Sequence, residues 1–213
     1  MQGITFGNIH SYTNLNLILS ARSIGEAQVK TYLVDIPGAD GRLDLTDFFG
    51  EPKYNNRQIK YTFSFSGTRS AIETKYSEIC SKLNGKYFTS IVDDADTGYY
   101  WTGRCSVNDL QLKKNIASVE VTVDAAPYKL KMTLTTKRYT FASSLSVTIV
   151  NSRKSVVPTI TTSAEMYITF NGNTYSINAG THTVNGIKFV EGNNLLTLTG
   201  TGTVTFQYRE GVL

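Results

Sequence analysis

The sequence predicts a mostly-β protein of two domains with one α-helix. Three observations lead to this prediction. The composition favours strands, since the 213 residues include 13 Tyr, 10 Phe and only four Pro. Apolar and polar residues alternate along several segments, whereas a helical period occurs in one place. Beyond Pro127 the sequence becomes rich in Thr, Asn and Gly, and its signals are those of hairpins.

The first domain begins with alternating segments. Leu15, Leu17 and Leu19 predict one face of a strand, and 57–66 predicts another strand with apolar side chains at every second position. Three later segments are also predicted to be strands: 86–92, 99–107 and 117–123.

The segment Val34 to Leu45 (VDIPGADGRLDL) predicts two strands joined by a compact turn. Pro37 fixes φ for the first central position of a type II turn, and Gly38 supplies the positive φ that the next position needs. Asp40-Gly41 is a second turn signal. Arg42 and Asp44 then face one way, while Leu43 and Leu45 face the other.

One helix is predicted over about residues 70–84. Ser70 and Glu73 fit a capping box, in which each side chain satisfies a free backbone N–H. Asn84-Gly85 predicts the end, because glycine readily takes the left-handed conformation after a helix. The apolar stripe of this helix predicts a core contact with Cys80 beside it: Ile72, Tyr76, Ile79 and Leu83.

The second half predicts a β-sandwich. Asn171-Gly172 lies between two alternating segments and is the preferred pair for a type I′ hairpin. Gly192-Asn193-Asn194 and Gly200-Thr201-Gly202 predict further turns. We place the domains at 1–134 and 135–213. The second is short for a sandwich, so either it is pared down or its last strand returns to the first domain.

Catalytic and metal signatures are weak throughout. His10 and His182 lack a nucleophile and an orienting partner in any known spacing, and both are expected to have surface or capping roles. Asp93, Asp94 and Asp96 resemble part of a calcium loop, but no Glu follows at the required distance. A solvated acidic turn is the favoured interpretation. We therefore predict no catalytic residue, no cofactor and no metal, and hence no enzyme.

Charge and cysteine content restrict the partners and the compartment. The net charge of +4 is scattered along the chain, so a specific nucleic-acid site is not expected. No segment has the length and hydropathy of a membrane span, and the first ten residues lack the pattern of a signal peptide. Cys80 and Cys105 suit a reducing cytoplasm as thiols, although a single disulfide also fits.

The aromatic residues leave a carbohydrate-binding function open. In Tyr99-Tyr100-Trp101 neighbouring side chains point to opposite faces, and Trp101 is expected in the core or an interface. A β-sandwich that binds cell-wall saccharide would need exposed rings in the second domain. The candidate rings occupy alternating positions that also fit a core: Tyr167, Tyr175, Phe189, Phe206 and Tyr208. A wall hydrolase is a third possibility, which would make the protein clear a peptidoglycan suspension, and we expect no such clearing.

Several segments, in order along nearly the whole chain, resemble the distal tail (Dit) proteins of long-tailed bacteriophages that infect Gram-positive bacteria. The most specific is VDIPGADGRLDL at 34–45. The others are Gly3 to Gly7 with His10-Ser11, Tyr54 to Arg57 (YNNR), Tyr99 to Arg104, Pro127 to Lys129, and Tyr208 to Leu213.

The resemblance implies a β-rich N-terminal belt domain that forms a hexameric ring, followed by a galectin-like β-sandwich. It implies a siphovirus structural protein at the virion tail tip, made in the host cytoplasm, with a channel through which DNA passes. The implied partners are further copies of the chain, including stacked rings, the major tail tube protein, the tail-associated fibre or lysin protein, and receptor-binding or baseplate proteins.

The hairpin at 35–44 is our candidate for the ring or tube interface, because a turn rich in Pro and Gly makes a rigid projection. A hairpin that packs only within its own domain is the alternative. The candidate interface residues are Asp35, Ile36, Pro37, Gly38, Asp40, Gly41 and Arg42.

Overall fold

The structure is a computed structural model that describes residues 2–48 and 50–213. It confirms a mostly-β fold, and the described residues contain one α-helix. The chain divides into two compact units, one up to Lys129 and the other from Leu130. No helix among the described residues has the length and apolar character needed to cross a membrane.

The described residues of the first unit form one helix, α1 (Arg69–Leu83), and ten strands that lie wholly before the boundary. The strands are β1 (Ile4–Phe6), β2 (Ile9–His10), β3 (Ile18–Ile24), β4 (Leu33–Asp35), β5 (Arg42–Asp44), β6 (Arg57–Ser66), β7 (Tyr87–Asp93), β8 (Tyr99–Val107), β9 (Gln111–Lys113) and β10 (Ile116–Ala125). The main antiparallel sheet has the order β2-β1-β7-β8-β10-β6-β3, with β9 also paired to β10. β4 and β5 form a separate two-stranded sheet.

The alternation of β6 explains why this sheet forms. Ile59, Tyr61 and Phe63 are fully buried, while the intervening residues are polar and face outward. β10 follows the same rule and pairs with β6 over ten residues in unbroken register. The buried side chains of α1 then cover the apolar face of the sheet, namely Ile72, Ile79 and Leu83.

The predicted helix is confirmed, but its N-terminal cap is not the predicted one. Thr68 caps the helix through its Oγ1, which accepts a hydrogen bond from Ala71 N at 3.4 Å. Ser70 therefore lies inside the first turn, and Glu73 pairs with Arg69 instead. The helix starts here because β6 ends at Ser66, which leaves the chain two residues to turn. Gly85, with φ of +71°, follows the helix as predicted.

The prediction of one strand face for Leu15, Leu17 and Leu19 is wrong, since β3 begins only at Ile18. Leu15 and Leu17 are fully buried from the turn that precedes β3. Burial of apolar side chains alone, without strand pairing, explains their spacing. Cys105 is also buried in this core, which raises the pKa of its thiol to about 12, and Cys80 is a free, half-buried thiol.

The second unit consists of strands, with β11 beginning at the boundary. They are β11 (Lys129–Lys131), β12 (Thr135–Asn151), β13 (Thr159–Thr162), β14 (Met166–Phe170), β15 (Asn173–Ile177), β16 (Gly180–Thr183), β17 (Gly192–Tyr208) and β18 (Gly211–Val212). Six form a sheet in which the order is β15-β14-β17-β13-β16 and β12 pairs along all of β17. β11 pairs with β18.

The core of this unit centres on aromatic rings. Phe189 lies 6.2 Å from Phe170, 5.9 Å from Phe206 and 5.3 Å from Tyr208, measured between ring centroids. These rings come from β14, from β17 and from the segment before β17. Phe189 therefore joins parts of the sheet that are distant in sequence, at contacts typical of tilted and edge-to-face aromatic pairs.

The Asn171-Gly172 turn is confirmed, with φ of +49° and +78° as a type I′ turn requires. The turns predicted at 192–194 and 200–202 are wrong, because both segments lie within β17. Gly200 and Gly202 have φ of +134° and +143°, so their positive φ values accommodate an irregularity inside a paired strand. At this level β17 changes its neighbour from β14 to β13.

Tyr61 offers a test of the first core. Its hydroxyl is fully buried without a hydrogen-bond partner, and burial raises its pKa well above the usual value. We expect Tyr61→Phe to stabilise the protein by about 1 kcal/mol, because an unsatisfied buried polar group is removed. Urea unfolding monitored by circular dichroism would measure this.

The matched control is Tyr208→Phe. Tyr208 is also buried, but its hydroxyl donates to Val150 O at 2.9 Å. Losing that bond is expected to destabilise the protein by about 1 kcal/mol. If both substitutions shift the urea midpoint in the same direction, the interpretation of Tyr61 is wrong.

Candidate functional site

The predicted hairpin at 34–45 is present and extends into a longer feature, which we call the arm (residues 28–55, of which Phe49 is not described). Leu33 pairs with Asp44, Val34 with Leu43, and Asp35 with Arg42. Backbone pairing holds the root of the arm, where Val29 bridges Tyr54 and Lys30 N donates to Lys53 O at 2.7 Å. The arm is thus a two-stranded ribbon.

The tip of the arm has the predicted turn. Ala39 N donates to Ile36 O at 3.1 Å, which closes a four-residue turn with Pro37 and Gly38 in the centre. Gly38 has φ of +82° and Gly41 has φ of +79°, as the turn signals required. Pro37 and Gly38 in these positions give a type II turn. The geometry of the tip is therefore fixed by the sequence.

Polar contacts along the arm are local. Arg42 Nε donates to Asp35 Oδ1 at 2.9 Å, but both side chains are largely exposed, so this pair contributes little to stability. Hydrogen-bonding by the Thr46 side chain, and then by its backbone N–H, which donates to Asp44 Oδ1 at 2.9 Å, lowers the pKa of the Asp44 carboxyl. Tyr32 N in turn donates to Thr46 Oγ1. These bonds orient the ribbon without covering it.

The apolar side chains of the arm are exposed on both of its faces. Val34 and Leu43 form a cross-strand pair on one face, and Leu33 points to the other face. The exposed fractions are Val29 39%, Tyr32 65%, Leu33 45%, Val34 38%, Ile36 46% and Leu43 47%. An isolated two-stranded hairpin is marginally stable in water. These apolar side chains of the arm are therefore left uncovered in the single chain.

The open edge of the main sheet lies next to the arm in sequence. β3 ends the strand order, and six of its seven residues are exposed, including Ile18 and Ile24. A register shift between Leu19 and Ala21 marks an irregularity against β6. An edge strand carries unpaired backbone donors and acceptors that can pair with another chain. β3 therefore has an unpaired edge and lies directly before the arm in the sequence.

The root of the arm lies in an aromatic and cationic cluster that the sequence did not predict. The Tyr54 ring packs edge-to-face on Tyr128 at 5.8 Å, and the Arg57 guanidinium lies 5.0 Å from the Trp101 ring centroid. The segments that contribute these residues are YNNR, 99–104 and 127–129. All three segments are among those that resemble distal tail proteins. This shared resemblance was the one signal in the sequence that could have grouped these residues. We call this group the root cluster: Tyr54, Arg57, Trp101 and Tyr128.

The acidic turn after β7 is partly solvated, since Ala95, Thr97 and Gly98 are exposed, but its three carboxylates are engaged in separate contacts. Asp93 is buried and accepts from Arg22 at 2.7 Å, while Asp94 accepts from Gly3 N and pairs with His10. Asp96 pairs with Lys129 at 2.6 Å. The three carboxylates thus point towards different partners, namely Arg22, His10 and Lys129. Among residues 2–48 and 50–213 there is no cluster of three metal-ligating side chains.

His10 has the capping role that was expected of it. Its Nδ1 accepts hydrogen bonds from Tyr12 N and Thr13 N, and its Nε2 lies 3.0 Å from Asp94 Oδ2. The neighbouring Ser11 is fully buried, and its Oγ accepts from Ile4 N. A serine in this position is closed to a substrate. The His10–Asp94 pair instead holds the start of the chain against the turn that follows β7.

The candidate saccharide-binding rings are mostly in the core. Phe189, Phe206 and Tyr208 are buried, and Tyr175 is half-buried. Tyr167 is 47% exposed, so the expectation of a core position is wrong for this residue. Its neighbours Met166 and Ile168 take the inward positions of β14, which leaves Tyr167 on the outer face. Trp101 is buried as expected.

No protein-family model matches the sequence, and no curated protein matches it either. A solved structure does match: the Dit protein of SPP1, described as a paradigm of the hub adsorption apparatus in phages that infect Gram-positive bacteria. The TM-score is 0.71, and the match covers 98% of this chain and 99% of that chain at 14% sequence identity. The chain has the Dit fold. At this identity the Dit fold is carried by strand patterning, since few side chains are shared.

Proposed function

We propose that this protein is a structural hub of a siphophage tail. Six copies form a head-to-tail ring at the tail tip, built from a belt domain (1–134) and an outward galectin-like sandwich (135–213). The protein is made in the cytoplasm of the host bacterium. The similarity to SPP1 Dit over nearly the whole of both chains supports this proposal.

The arm is the observation that carries the proposal. Its residues are apolar on both faces, and most of them are exposed in a single chain. Burying such side chains against a partner is favourable by about 25 cal/mol per Å² of apolar surface. The contact includes the predicted interface residues from Asp35 to Arg42. The arm is therefore the element that binds the next subunit.

A head-to-tail contact requires two different surfaces on one chain. The arm supplies one surface, since its strands β4 and β5 pair with each other in a sheet separate from the main one. The partner supplies the other, which lies elsewhere on its first unit. The unpaired edge of β3 adds backbone groups to the same contact region. An obligate contact of this kind buries about 2,000 Å² or more.

The ring joins the tail tube to the tip and leaves a channel for DNA. Polar side chains cover the outward face of β6 and β10, where Lys60 Nζ lies 3.6 Å from Glu120 Oε1. Mixed charges on a hydroxyl-rich surface do not hold phosphate tightly. The partners are other copies in single or stacked rings, the major tail tube protein, the tail-associated fibre or lysin protein, and receptor-binding or baseplate proteins.

The ring is tested by measuring mass against concentration. We expect light scattering to show a rise from the 23.5 kDa chain to six times that mass, and negative-stain micrographs to show closed rings. Adding purified tail tube protein should lower the concentration at which rings form. A chain that stays at 23.5 kDa at all concentrations, with and without the tube protein, would contradict the proposal.

A further inference from the structure

Arg57 is a buried cation without an anionic partner. It is the first residue of β6, and 8% of its surface is exposed. Its Nε is buried and has no hydrogen bond. Among residues 2–48 and 50–213, no carboxylate lies within ion-pair distance of its guanidinium. Buried arginine side chains are almost always paired, so this one is unusual.

The strand register explains how the guanidinium is placed. Arg57 lies opposite Ala125 on β10, and Ala125 lies opposite Gly103 on β8. These two small residues leave room along the row, so the long side chain can extend across both strands. It reaches Trp101, and the ring centroid is 5.0 Å from Arg57 Cζ. The ring is itself 6% exposed and forms a fixed floor under the guanidinium.

The aromatic floor satisfies only part of what the guanidinium requires. A cation–π contact acts on the face of the planar group, whereas its five N–H donors point outward in the plane. Burial also lowers the pKa of Arg57 through desolvation. A carboxylate arriving in the plane would satisfy the donors and could do so with two parallel hydrogen bonds.

The arm of a second copy carries a suitable carboxylate. Three acidic side chains of the arm are already engaged: Asp35 with Arg42, Asp44 with Thr46 and Glu51 with Lys53. In the described structure Asp40 and Asp47 have no such contact. Asp40 lies in the tip, between Gly38 and Gly41, and is exposed.

The arm's own tip is unable to reach Arg57. Eight residues of extended chain separate Lys30 from Gly38, which corresponds to about 26 Å at ~3.3 Å per residue. Arg57 lies two residues beyond Asn55, which closes the root by donating to Gln28 O. Tip and root are thus at opposite ends of the ribbon. A carboxylate from the tip must therefore come from another copy.

We propose that Arg57 and Trp101 form a socket for the carboxylate of Asp40 from a second copy of this chain. This inference rests on the proposed ring, because it names the surface that receives each arm. It also explains why YNNR and Tyr99 to Arg104 come together at the root. The pairing connects the tip of one arm to the root of the next around the ring.

The test is a double-mutant cycle on assembly with Asp40→Asn, Arg57→Gln and both together. We expect each single substitution to raise the dissociation constant of the contact by about 30-fold or more, as for other desolvated charge pairs. The double variant should be no weaker than the worse single variant. Asp47→Asn, the other unpaired arm carboxylate, is the matched control and should change the constant less than twofold.

Trp101 provides a second readout, since it is the one tryptophan of the chain. Its emission should shift when the wild-type protein assembles, and the shift should persist in Asp47→Asn and be lost in Asp40→Asn. Asp40 is in an exposed turn, so its substitution leaves folding intact even if Arg57→Gln fails to fold. Wild-type assembly with an unaffected Asp40→Asn variant would overturn the socket alone. A wild-type protein that never assembles would overturn the ring.

Discussion

Serine in place of Leu33, Ile36 and Leu43 is expected to abolish assembly without unfolding the chain. Fully burying one such side chain is worth about 1.5–3 kcal/mol, so the three together should raise the dissociation constant by at least ~1,000-fold. The three residues are 45–47% exposed in the single chain, and their substitution should change the free energy of unfolding by no more than about 0.5 kcal/mol. Light scattering and thermal melts measure the two effects.

The matched control places serine at three exposed residues of the second unit. Val150, Tyr167 and Leu195 are 60%, 47% and 64% exposed, so the loss of exposed apolar surface is similar. Assembly of this variant is expected to stay within twofold of the wild type. If the control weakens assembly as much as the arm variant, the contact does not depend specifically on the arm.

Phe189→Ala is expected to have the largest effect on folding. The ring is fully buried and touches Phe170, Phe206 and Tyr208, so its removal leaves a cavity that these rings cannot close. Such substitutions cost about 3–5 kcal/mol. For a unit of this size the melting temperature should fall by more than ~10 °C. Differential scanning calorimetry would record the change.

Tyr167→Ala removes a ring of similar size from the same unit, where it is 47% exposed. Its expected cost is below ~0.5 kcal/mol, as for other surface substitutions. Equal melting temperatures for the two variants would mean that Phe189 does not hold the sheet together. The pair thus separates the position of an aromatic ring from its chemistry.

Local patterns predicted the regular elements well. The alternation of 57–66 gave β6 with its bounds, because one face of that strand is buried along its whole length. Pro37-Gly38 and Asn171-Gly172 gave their turns, since few residue pairs have the φ values that such turns require. The helix was predicted to within one residue at each end.

Predictions were wrong where two signals of equal local strength competed. Thr68 and Ser70 are both good caps, and the end of β6 decided in favour of Thr68. Gly200 and Gly202 had the composition of a turn, but pairing with β12 along the full length of β17 kept them in a strand. The solvated turn predicted for Asp93, Asp94 and Asp96 does not describe Asp93, which is buried against Arg22 from the distant strand β3.

Local residue patterns were enough to predict the strand pattern, the helix, the tip of the arm and the resemblance to distal tail proteins, because each depends on residues close together in the chain. The exposure of the arm's apolar side chains and the position of Arg57 on Trp101, with no acid paired to it among the described residues, became known from the folded chain alone. The position of Arg57 depends on pairing between segments far apart in sequence, namely β6 with β10 and β10 with β8. Burial and pairing across strands are properties of the fold, so no local pattern encodes them.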